Sequence, residues 1–542
     1  MTEPSSQGPT LGGTNDGAFA PLRQKLFAVL WVATVLGNVG TFVRDVASAW
    51  LMTELSPSPV AVALVQAAAT LPIFLLAIPA GVLADILDRR RLLIGIQIML
   101  AGVSLCLVML SLTDKHSVTS LVLLPFLGGV GAALMGPTWQ AVVPELVGRK
   151  DLKDAVALNS LGLNVARAIG PALGGVTLAA FGAALTYGLD VVSYVFVIAA
   201  LLWWKRPQAE PDALTERFSG AFRAGLRFAR ASRELHVVLL RAFLFFALAS
   251  SVWALLPLVA RDLLGGGAGF YGLLLSAVGI GAITGAILLP RLRRRFNADS
   301  LMLLTALMSA AVMIFLSSSP PRWAAFSALL FLGVAWITAL TTLNGVAQSI
   351  LPNWVRGRGL AVYLTVFNGA MTIGSLAWGL VANGIGVSPA LLTAAVGLIV
   401  VGVLAHRINL PRGDADLVPS SHWPEPLTAA PVDGDRGPVL IQIEYRVKAG
   451  DRQAFLDALY RLSRERRRDG AYTWSVSEDA ADPEVLLECF QVESWAEHMR
   501  QHQRVSMADA DIQAEARKFH CGIDPPRVRH FLSANQQDNL LP

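Results

Sequence analysis

The chain carries little charge for its length. Only 15% of its 542 residues are Asp, Glu, Lys or Arg and 54% are hydrophobic, whereas an ordinary soluble domain has about 25% charged residues. Residues 411–542 hold 38 of the 83 charged side chains. This distribution excludes a single soluble enzyme and a disordered protein, and it separates a long apolar part from an ordinary soluble tail.

Cysteine is equally scarce. The three cysteines form no paired or zinc-type spacing, which excludes a disulfide scaffold and a cysteine-based metal site. His498 and His502 stand four residues apart, and His520 precedes Cys521, but the sequence places no further ligand beside them. We expect no metal and no cofactor. A phosphate-binding loop of the Walker type is also absent, which argues against a protein driven directly by ATP.

Long apolar runs fill the first 410 residues. A membrane-spanning helix needs about 20 apolar residues, and twelve runs approach or exceed that length. They lie near 26–51, 60–84, 92–112, 118–143, 155–180, 184–204, 238–260, 269–290, 300–318, 323–350, 359–383 and 388–406. We predict an all-α membrane protein of twelve transmembrane helices, followed by a soluble α+β domain.

Lys and Arg are unevenly placed between these runs. The first 410 residues carry 28 basic and 17 acidic groups. With the N-terminus inside, 23 of the 28 basic groups fall in cytoplasmic segments and 3 in outer loops. Cytoplasmic loops are enriched in positive charge, so we expect both termini in the cytoplasm. The basic groups therefore indicate a lipid bilayer as the partner, and no nucleic acid.

Three sets of landmarks recur in the same order, which predicts two six-helix halves in parallel repeat. Gly81 and Arg89 are followed 204 residues later by Gly285 and Arg293. The other sets are Gln140 and Pro144 with Gln348 and Pro352, and Asn164, Gly170 and Gly175 with Asn368, Gly374 and Gly379. We assign 1–24 to a disordered tail, 25–204 to the first half, 205–237 to a cytoplasmic hinge, 238–407 to the second half, 408–438 to a linker and 439–535 to a ferredoxin-like domain.

Several segments resemble motifs of the major facilitator superfamily. Residues 81–91, GVLADILDRRR, resemble its signature loop. Residues 167–175, RAIGPALGG, resemble the Gly-Pro motif in the fifth helix of its antiporters. More closely, residues 137–147, PTWQAVVPELV, and Asn159 with residues 164–167 resemble the enterobactin-exporter branch, whose members are described as transmembrane secretion effectors.

The resemblance implies a multi-pass protein of the bacterial inner membrane that works by alternating access. Its activity would be proton-coupled export of a small amphipathic molecule, such as a siderophore, a drug or a secondary metabolite, and not catalysis. An importer of the same fold remains an alternative, and so does a membrane-anchored enzyme with its chemistry in the tail. By resemblance, Gly81, Asp85, Arg89 and Arg90 would form an inner gate, and Gly170, Pro171, Gly174 and Gly175 would bend or closely pack the fifth helix.

Three ionisable residues, Arg44, Asp45 and Arg167, lie within predicted spans. A charge at the centre of a bilayer costs at least about 2.5–3.5 kcal/mol, so these side chains would face the bundle interior or a hydrated cavity. They would serve coupling or substrate binding, or else form a structural ion pair between helices. Asp190 lies near the outer end of the sixth span, where snorkelling to the surface is the favoured explanation, so we rank it after Asp45 as proton carrier.

Amide side chains within the spans are the candidates for substrate contact, and hydrogen bonding between helices is the common alternative. These residues are Asn38, Gln66, Gln140, Asn159, Asn164, Asn344, Gln348 and Asn368.

Residues 217–230 have an amphipathic pattern. Phe218, Phe222 and Leu226 recur at helical spacing, and Arg223, Arg227 and Arg230 follow another face. The pattern predicts either a helix on the acidic inner leaflet or a soluble linker helix.

The tail has the pattern of alternating strands and helices. Strands are predicted at 439–447, 471–477, 485–492 and 528–532, and helices at 451–468 and 495–502. This β-α-β-β-α-β order is typical of a ferredoxin-like unit. It resembles small monooxygenase-like domains that pair into α+β barrels, so we expect a sensing, regulatory or dimerising module.

Overall fold

The computed structural model describes residues 19–205 and 218–534, apart from 149, 415, 419, 421, 422, 424, 425 and 427. Eleven helices of this part are long and apolar enough to cross a membrane. The helices before the tail are α1 (Lys25–Leu55), α2 (Pro59–Ile86), α3 (Arg89–Leu112), α4 (Val118–Leu146), α5 (Leu152–Trp203), α6 (Phe218–Ala231), α7 (Arg233–Leu258), α8 (Ala268–Arg293), α9 (Ala298–Ser317), α10 (Arg322–Ser349), α11 (Arg356–Ile385) and α12 (Val387–Ala405). All of them except α6 belong to the eleven long, apolar helices. The predicted disorder of residues 1–24 concerns mainly undescribed residues, but Ala20–Arg23 form a 3-10 turn.

The longest helix, α5, folds back at Gly182. Its 52 residues would extend about 78 Å in a straight helix, far beyond a bilayer core of roughly 30 Å. Gly182 has φ +78°, a conformation that glycine adopts freely. The Thr186 hydroxyl donates to the Thr177 hydroxyl at 3.4 Å, although a straight helix would separate them by about 13 Å. The two segments of α5 correspond to the fifth and sixth predicted spans.

Glycine lets α5 approach its neighbours closely. A Cβ added at Gly174 would lie 2.9 Å from the Cα of Val43 in α1, and one at Gly175 would lie 2.9 Å from the Cα of Gly272 in α8. Only residues without a side chain allow backbones to come so near. The Gly-Pro motif was predicted either to bend α5 or to pack it closely, and these contacts are close packing. Pro171 lies within the helix and does not end it.

The corresponding glycines of α11 make corresponding contacts. Gly170 lies against α1, and Gly374, its counterpart 204 residues later, lies against α7. Gly175 meets α8, and its counterpart Gly379 meets α2. Each glycine pair therefore touches the first helix of its own group, before or after α6, and the second helix of the other group.

The two groups of helices also meet at the ends that lie far from the start of α1. Trp50 of α1 stacks on Tyr271 of α8 with ring centroids 6.0 Å apart. The Arg261 guanidinium, after α7, donates to the carbonyl oxygen of Thr53. These contacts close the bundle at that end.

The tail contains a four-stranded antiparallel sheet. Its strands are β1 (Val439–Arg446), β2 (Thr473–Glu478), β3 (Val485–Val492) and β4 (Arg527–Leu532), in the order β2-β3-β1-β4. The central strand β1 pairs antiparallel with β3 and β4, and α13 (Arg452–Asp469) follows it. Alternate residues of β1 are buried, so one face of the sheet packs against the helices.

Two helices follow β3, where the sequence predicted only one at 495–502. They are α14 (Trp495–Arg504) and α15 (Met507–Arg517). The Asp509 N–H donates to the Ser506 hydroxyl at 3.3 Å, and the Ser506 N–H donates to the Asp509 carboxylate at 2.9 Å. Such a reciprocal capping box begins a helix. Ser506 and Asp509 therefore mark the start of α15 in the sequence, although the apolar pattern does not indicate this helix.

The amphipathic helix α6 lies between the membrane part and the tail. Phe228 is only 2% exposed and meets Trp354, between α10 and α11, edge-on at 5.9 Å. Arg227 forms ion pairs with Glu493 at 3.3 Å and Glu497 at 2.8 Å. These partners favour the linker-helix alternative over a helix that lies on lipid. The side chains of residues 218–224 lie outside the described part.

Candidate functional site

Arg44 is the centre of a buried polar cluster between α1 and the second segment of α5. Its Nη1 donates to the Tyr194 hydroxyl at 3.0 Å and lies 3.5 Å from Oδ2 of Asp190. Its Nη2 and Nε donate to Oδ1 of Asp45 at 3.1 and 3.3 Å. Two carboxylates thus share one cation, so the cluster keeps a net negative charge unless one carboxyl is protonated.

Asp190 is more deeply buried than Asp45, whereas the sequence analysis predicted that Asp45 would lie deeper. The Asp190 side chain is fully buried, whereas the Asp45 side chain is 48% exposed. Because α5 folds back at Gly182, Asp190 turns inward and does not reach a surface. There Oδ2 of Asp190 also accepts the Ser104 hydroxyl of α3 at 2.6 Å. The expectation that Asp190 snorkels to the surface is therefore wrong.

Glycines make room for this cluster. A Cβ at Gly40 of α1 would lie 2.6 Å from Oδ1 of Asp190, closer than real contacts allow. A Cβ at Gly128 of α4 would lie 3.3 Å from Nη2 of Arg44. Neither glycine was singled out by the sequence, because nothing local distinguishes a glycine that accommodates a side chain from a distant helix.

Arg167 lies apart from this cluster. It is half-buried, midway along the first segment of α5. Its carbonyl oxygen would lie 2.7 Å from a Cβ at Gly279, which places it at the crossing with α8. Among the described residues its guanidinium has no hydrogen-bond or ion-pair partner. The structure therefore brings Arg44 and Asp45 together and leaves Arg167 as a separate cation.

Two arginines of the predicted gate bind within the first group of helices. Nη1 of Arg89 donates to Oε1 of Glu145 in α4 at 2.7 Å. Arg90 donates to the carbonyl oxygens of Leu201 and Leu202, at 2.8 Å each. A cation is favourable at such a helix C-terminus. The loop between α2 and α3 is thereby fixed to the ends of α4 and α5.

The remaining gate residues are Gly81 and Asp85. The Asp85 side chain lies outside the described part. A Cβ at Gly81 would meet no atom within 4 Å, so packing does not require glycine there. Asp88, which the sequence analysis passed over, accepts the Arg91 N–H at 2.8 Å and caps α3.

The amide candidates with side-chain bonds bond within their own helices. Asn164 and Asn368 each donate to the carbonyl four residues earlier at 2.9 Å. Asn344 and Gln348 bond to each other along α10. Each of these bonds lies within a single helix. They are therefore not the hydrogen bonds between helices that were predicted as the alternative to substrate contact. Asn38, Gln66 and Asn159 are half-buried and Gln140 is exposed.

Three histidines gather inside the tail. The ring centroid of His498 lies 4.7 Å from those of His502 and His530. Burial and the two neighbouring rings lower the pKa of His498 to about 3. His520 lies elsewhere and accepts the Arg446 N–H at 3.0 Å. In the part of the chain that the structure describes, no three His, Cys, Asp or Glu side chains are arranged to hold a metal ion.

The chain is similar to several bacterial transporters. It is 22% identical over 376 residues to the staphyloferrin A transporter of Staphylococcus aureus, covering 68% of this chain and 93% of that protein. It is 26% identical over 402 residues to the multidrug efflux pump Tap of Mycolicibacterium fortuitum, covering 72% and 96%. It is 29% identical over 265 residues to the enterobactin exporter EntS of Salmonella choleraesuis, covering 48% and 62%.

The fold is also similar to that of solved transporters. A bacterial homologue of the human lysosomal transporter Spinster, in an inward-facing and unoccupied conformation, matches with a TM-score of 0.56 and 16% identity, over 71% of this chain and 97% of that one. The family described as transmembrane secretion effector matches residues 16–538. The chain therefore belongs to the transmembrane secretion effector family of major facilitator transporters.

Proposed function

We propose that this protein is a proton-coupled exporter of a small amphipathic molecule that works by alternating access. The names of its relatives include a siderophore transporter, an efflux pump and a siderophore exporter. Two of these relatives are matched over more than nine-tenths of their length. Export of a small molecule is the activity that these relatives support.

The proposed architecture has twelve crossings in two parallel six-helix halves. The fold-back of α5 adds one crossing to the eleven long helices. The matched contacts of Gly170 with Gly374 and of Gly175 with Gly379 support the repeat. The excess of basic residues in the segments on the N-terminal side supports an inside N-terminus.

In this orientation the closed ends of the bundle are the outer ends. Trp50, Tyr271, Arg261 and Thr53 lie there, and these contacts support an inward-facing state. Export then requires these contacts to open and the inner ends to close. Arg89 and Arg90, at the start of α3, lie at the inner ends, where closure would take place.

The observation that carries proton coupling is the sharing of Arg44 between Asp45 and a buried Asp190. A buried charge without a partner is costly, so the cluster gains from taking up a proton on one carboxyl. If the contacts at the outer ends opened, water would reach the cluster, and taking up a proton would no longer lower its free energy. Proton loading would therefore depend on the conformational state, which is the requirement for coupling.

The proposal is tested in proteoliposomes that contain an amphipathic fluorescent dye and a pH gradient. Either Asp190→Asn or Asp45→Asn leaves one carboxylate for one cation, so the cluster no longer needs a proton. Both variants should lose accumulation of dye against its gradient and keep downhill movement. Asp114→Asn, in an outer loop, is the control and should pump normally. Uphill pumping by both cluster variants at the wild-type pH dependence would reject proton coupling through this site.

Direction is tested in everted membrane vesicles. An exporter takes dye into such vesicles when their interior is acidic, whereas an importer of the same fold depletes them. Depletion would reject export and support the importer alternative.

For the tail we propose a ferredoxin-like regulatory domain rather than an enzyme. The strand order and the position of α13 support this topology. The outer face of the sheet, with Leu440, Leu487 and Phe531, is only partly covered, and it would pair with a second copy. Light scattering on residues 439–542 should then report a dimer. A strictly monomeric species would contradict the pairing.

A further inference from the structure

A narrow cleft lies within the first group of helices, between the Arg44 cluster and the inner ends of α3 and α5. Leu93, near the start of α3, and Leu201, near the end of α5, line its inner part. Thr34, Asn38 and Thr41 line it along one face of α1. The cleft has room for about one water molecule.

One buried polar atom in this cleft has no partner among the described residues. Gln97 of α3 lines the cleft and is 3% exposed. Its Nε2 donates to the sulfur of Met135 at 3.4 Å, whereas its carbonyl Oε1 is buried and accepts no bond. Buried acceptors without a protein partner are ordinarily satisfied by ordered water. The cleft therefore offers both the space and the unfilled acceptor that an internal water requires.

The cleft ends at the Arg44 cluster. The Thr41 and Tyr194 hydroxyls are 3.1 Å apart, and both residues line the cleft. The Tyr194 hydroxyl also accepts from Nη1 of Arg44, the same atom that approaches Asp190. Asp190 and Tyr194 are four residues apart on one helix, a spacing that places them on one face.

We propose that this cleft holds an ordered water that carries protons between Asp190 and the cytoplasmic side. The inference rests on the proposed proton coupling. When Asp190 releases its proton, its O–H bond breaks, and the Tyr194 oxygen gains that proton once the two groups, which both approach Nη1 of Arg44, come into contact. Tyr194 passes its own hydroxyl proton to the water held by Gln97 and Thr41, which becomes hydronium. Asp190 is left as a carboxylate, and Arg44 stays charged throughout because guanidinium does not deprotonate in proteins.

The relay is tested with Tyr194→Phe and Gln97→Leu in the full-length protein, in the same dye-loaded proteoliposomes. Each variant should lower the initial rate of pH-driven uphill export about tenfold and leave downhill dye movement unchanged. Tyr187→Phe is the matched control. Tyr187 is buried on the same helix, and its hydroxyl bonds to Ser48 rather than to the Arg44 cluster.

The outcomes separate the two proposals. If Asp190→Asn loses uphill export while both relay variants behave like Tyr187→Phe, the relay is rejected and the coupling site stands. If Asp190→Asn pumps like the wild type, proton coupling through Asp190 is rejected, and the relay that starts at Asp190 is rejected with it. Loss of proton-driven export in Tyr194→Phe and Gln97→Leu, with intact downhill movement, supports the relay.

Discussion

Arg227 of α6 and Glu497 of α14 form an ion pair of 2.8 Å that joins the tail to the helix between α5 and α7. The contact is reinforced from both sides. The Arg504 guanidinium lies over the Trp354 ring at 4.5 Å, and the Phe228 ring meets the same indole. Attractions of this kind are worth about 0.5–2 kcal/mol each, so the tail is docked by several modest contacts.

Arg227→Glu should release the tail from the membrane part. The substitution places a carboxylate against Glu493 and Glu497, so the ion pairs become repulsive. Limited proteolysis of the full-length protein in detergent should then cut within residues 408–438 several-fold faster than in the wild type.

Arg230→Glu is the control for this release. Arg230 lies one turn further along α6, is exposed, and has no ion-pair partner among the described residues. Its reversal should leave the cleavage rate within twofold of the wild type. Equal acceleration by both reversals would show that the docking depends on general charge and not on the Arg227 contact.

Gly175→Ala should disfavour the state in which Trp50 and Tyr271 are in contact. The added methyl group would come within 2.9 Å of the Cα of Gly272, and backbone cannot move aside as a side chain can. Overpacking of this kind costs typically about 1–3 kcal/mol. A cysteine placed at Trp50 should therefore react faster with an impermeant maleimide. Gly188→Ala, where nothing lies within 4 Å, should change little, and an equal effect from it would remove the packing argument.

Asp85→Asn should impair turnover without loss of expression, and Arg91→Gln should do much less. By family resemblance the Asp85 carboxylate takes part in closing the inner face, and an amide cannot replace its charge. Arg91 contributes its backbone N–H to the Asp88 cap, which a change of side chain leaves in place. Transport rates in proteoliposomes measure both. Equal impairment would mean that the loop anchors the protein and does not gate it.

The tail should lose stability as the pH falls below about 6.5. The pKa of His498 is near 3 in the folded tail and about 6.5 in an unfolded chain. The unfolded state therefore binds the extra proton first. At pH 5.5 the free energy of unfolding should be about 1.4 kcal/mol lower than at pH 7.5.

Urea unfolding of residues 408–542, followed by circular dichroism at both pH values, measures this loss. His498→Gln should remove most of the pH dependence, whatever its effect on stability at pH 7.5. A wild-type free energy of unfolding that is equal at the two pH values would contradict the buried neutral state of His498.

The amphipathic pattern of residues 217–230 shows where sequence reasoning ends. It placed a helix there, and the structure has one at Phe218–Ala231. An amphipathic pattern predicts that one face of the helix is buried, but it does not identify the residues that bury it. The cover proved to be Trp354 and the tail, more than a hundred residues away in the chain.

The sequence by itself determined the membrane helices and the strands of the tail. In a bilayer each segment must satisfy its own backbone hydrogen bonds, so length and hydropathy suffice, and alternation similarly gave β3 at 485–492. Only the tertiary structure decided which carboxylate is buried. Asp45 and Asp190 both lie in apolar runs of the chain, and their difference in burial arises because α5 folds back at Gly182 and turns Asp190 towards Arg44, 146 positions earlier. Charge pairing across that distance depends on how helices pack, which no local pattern contains.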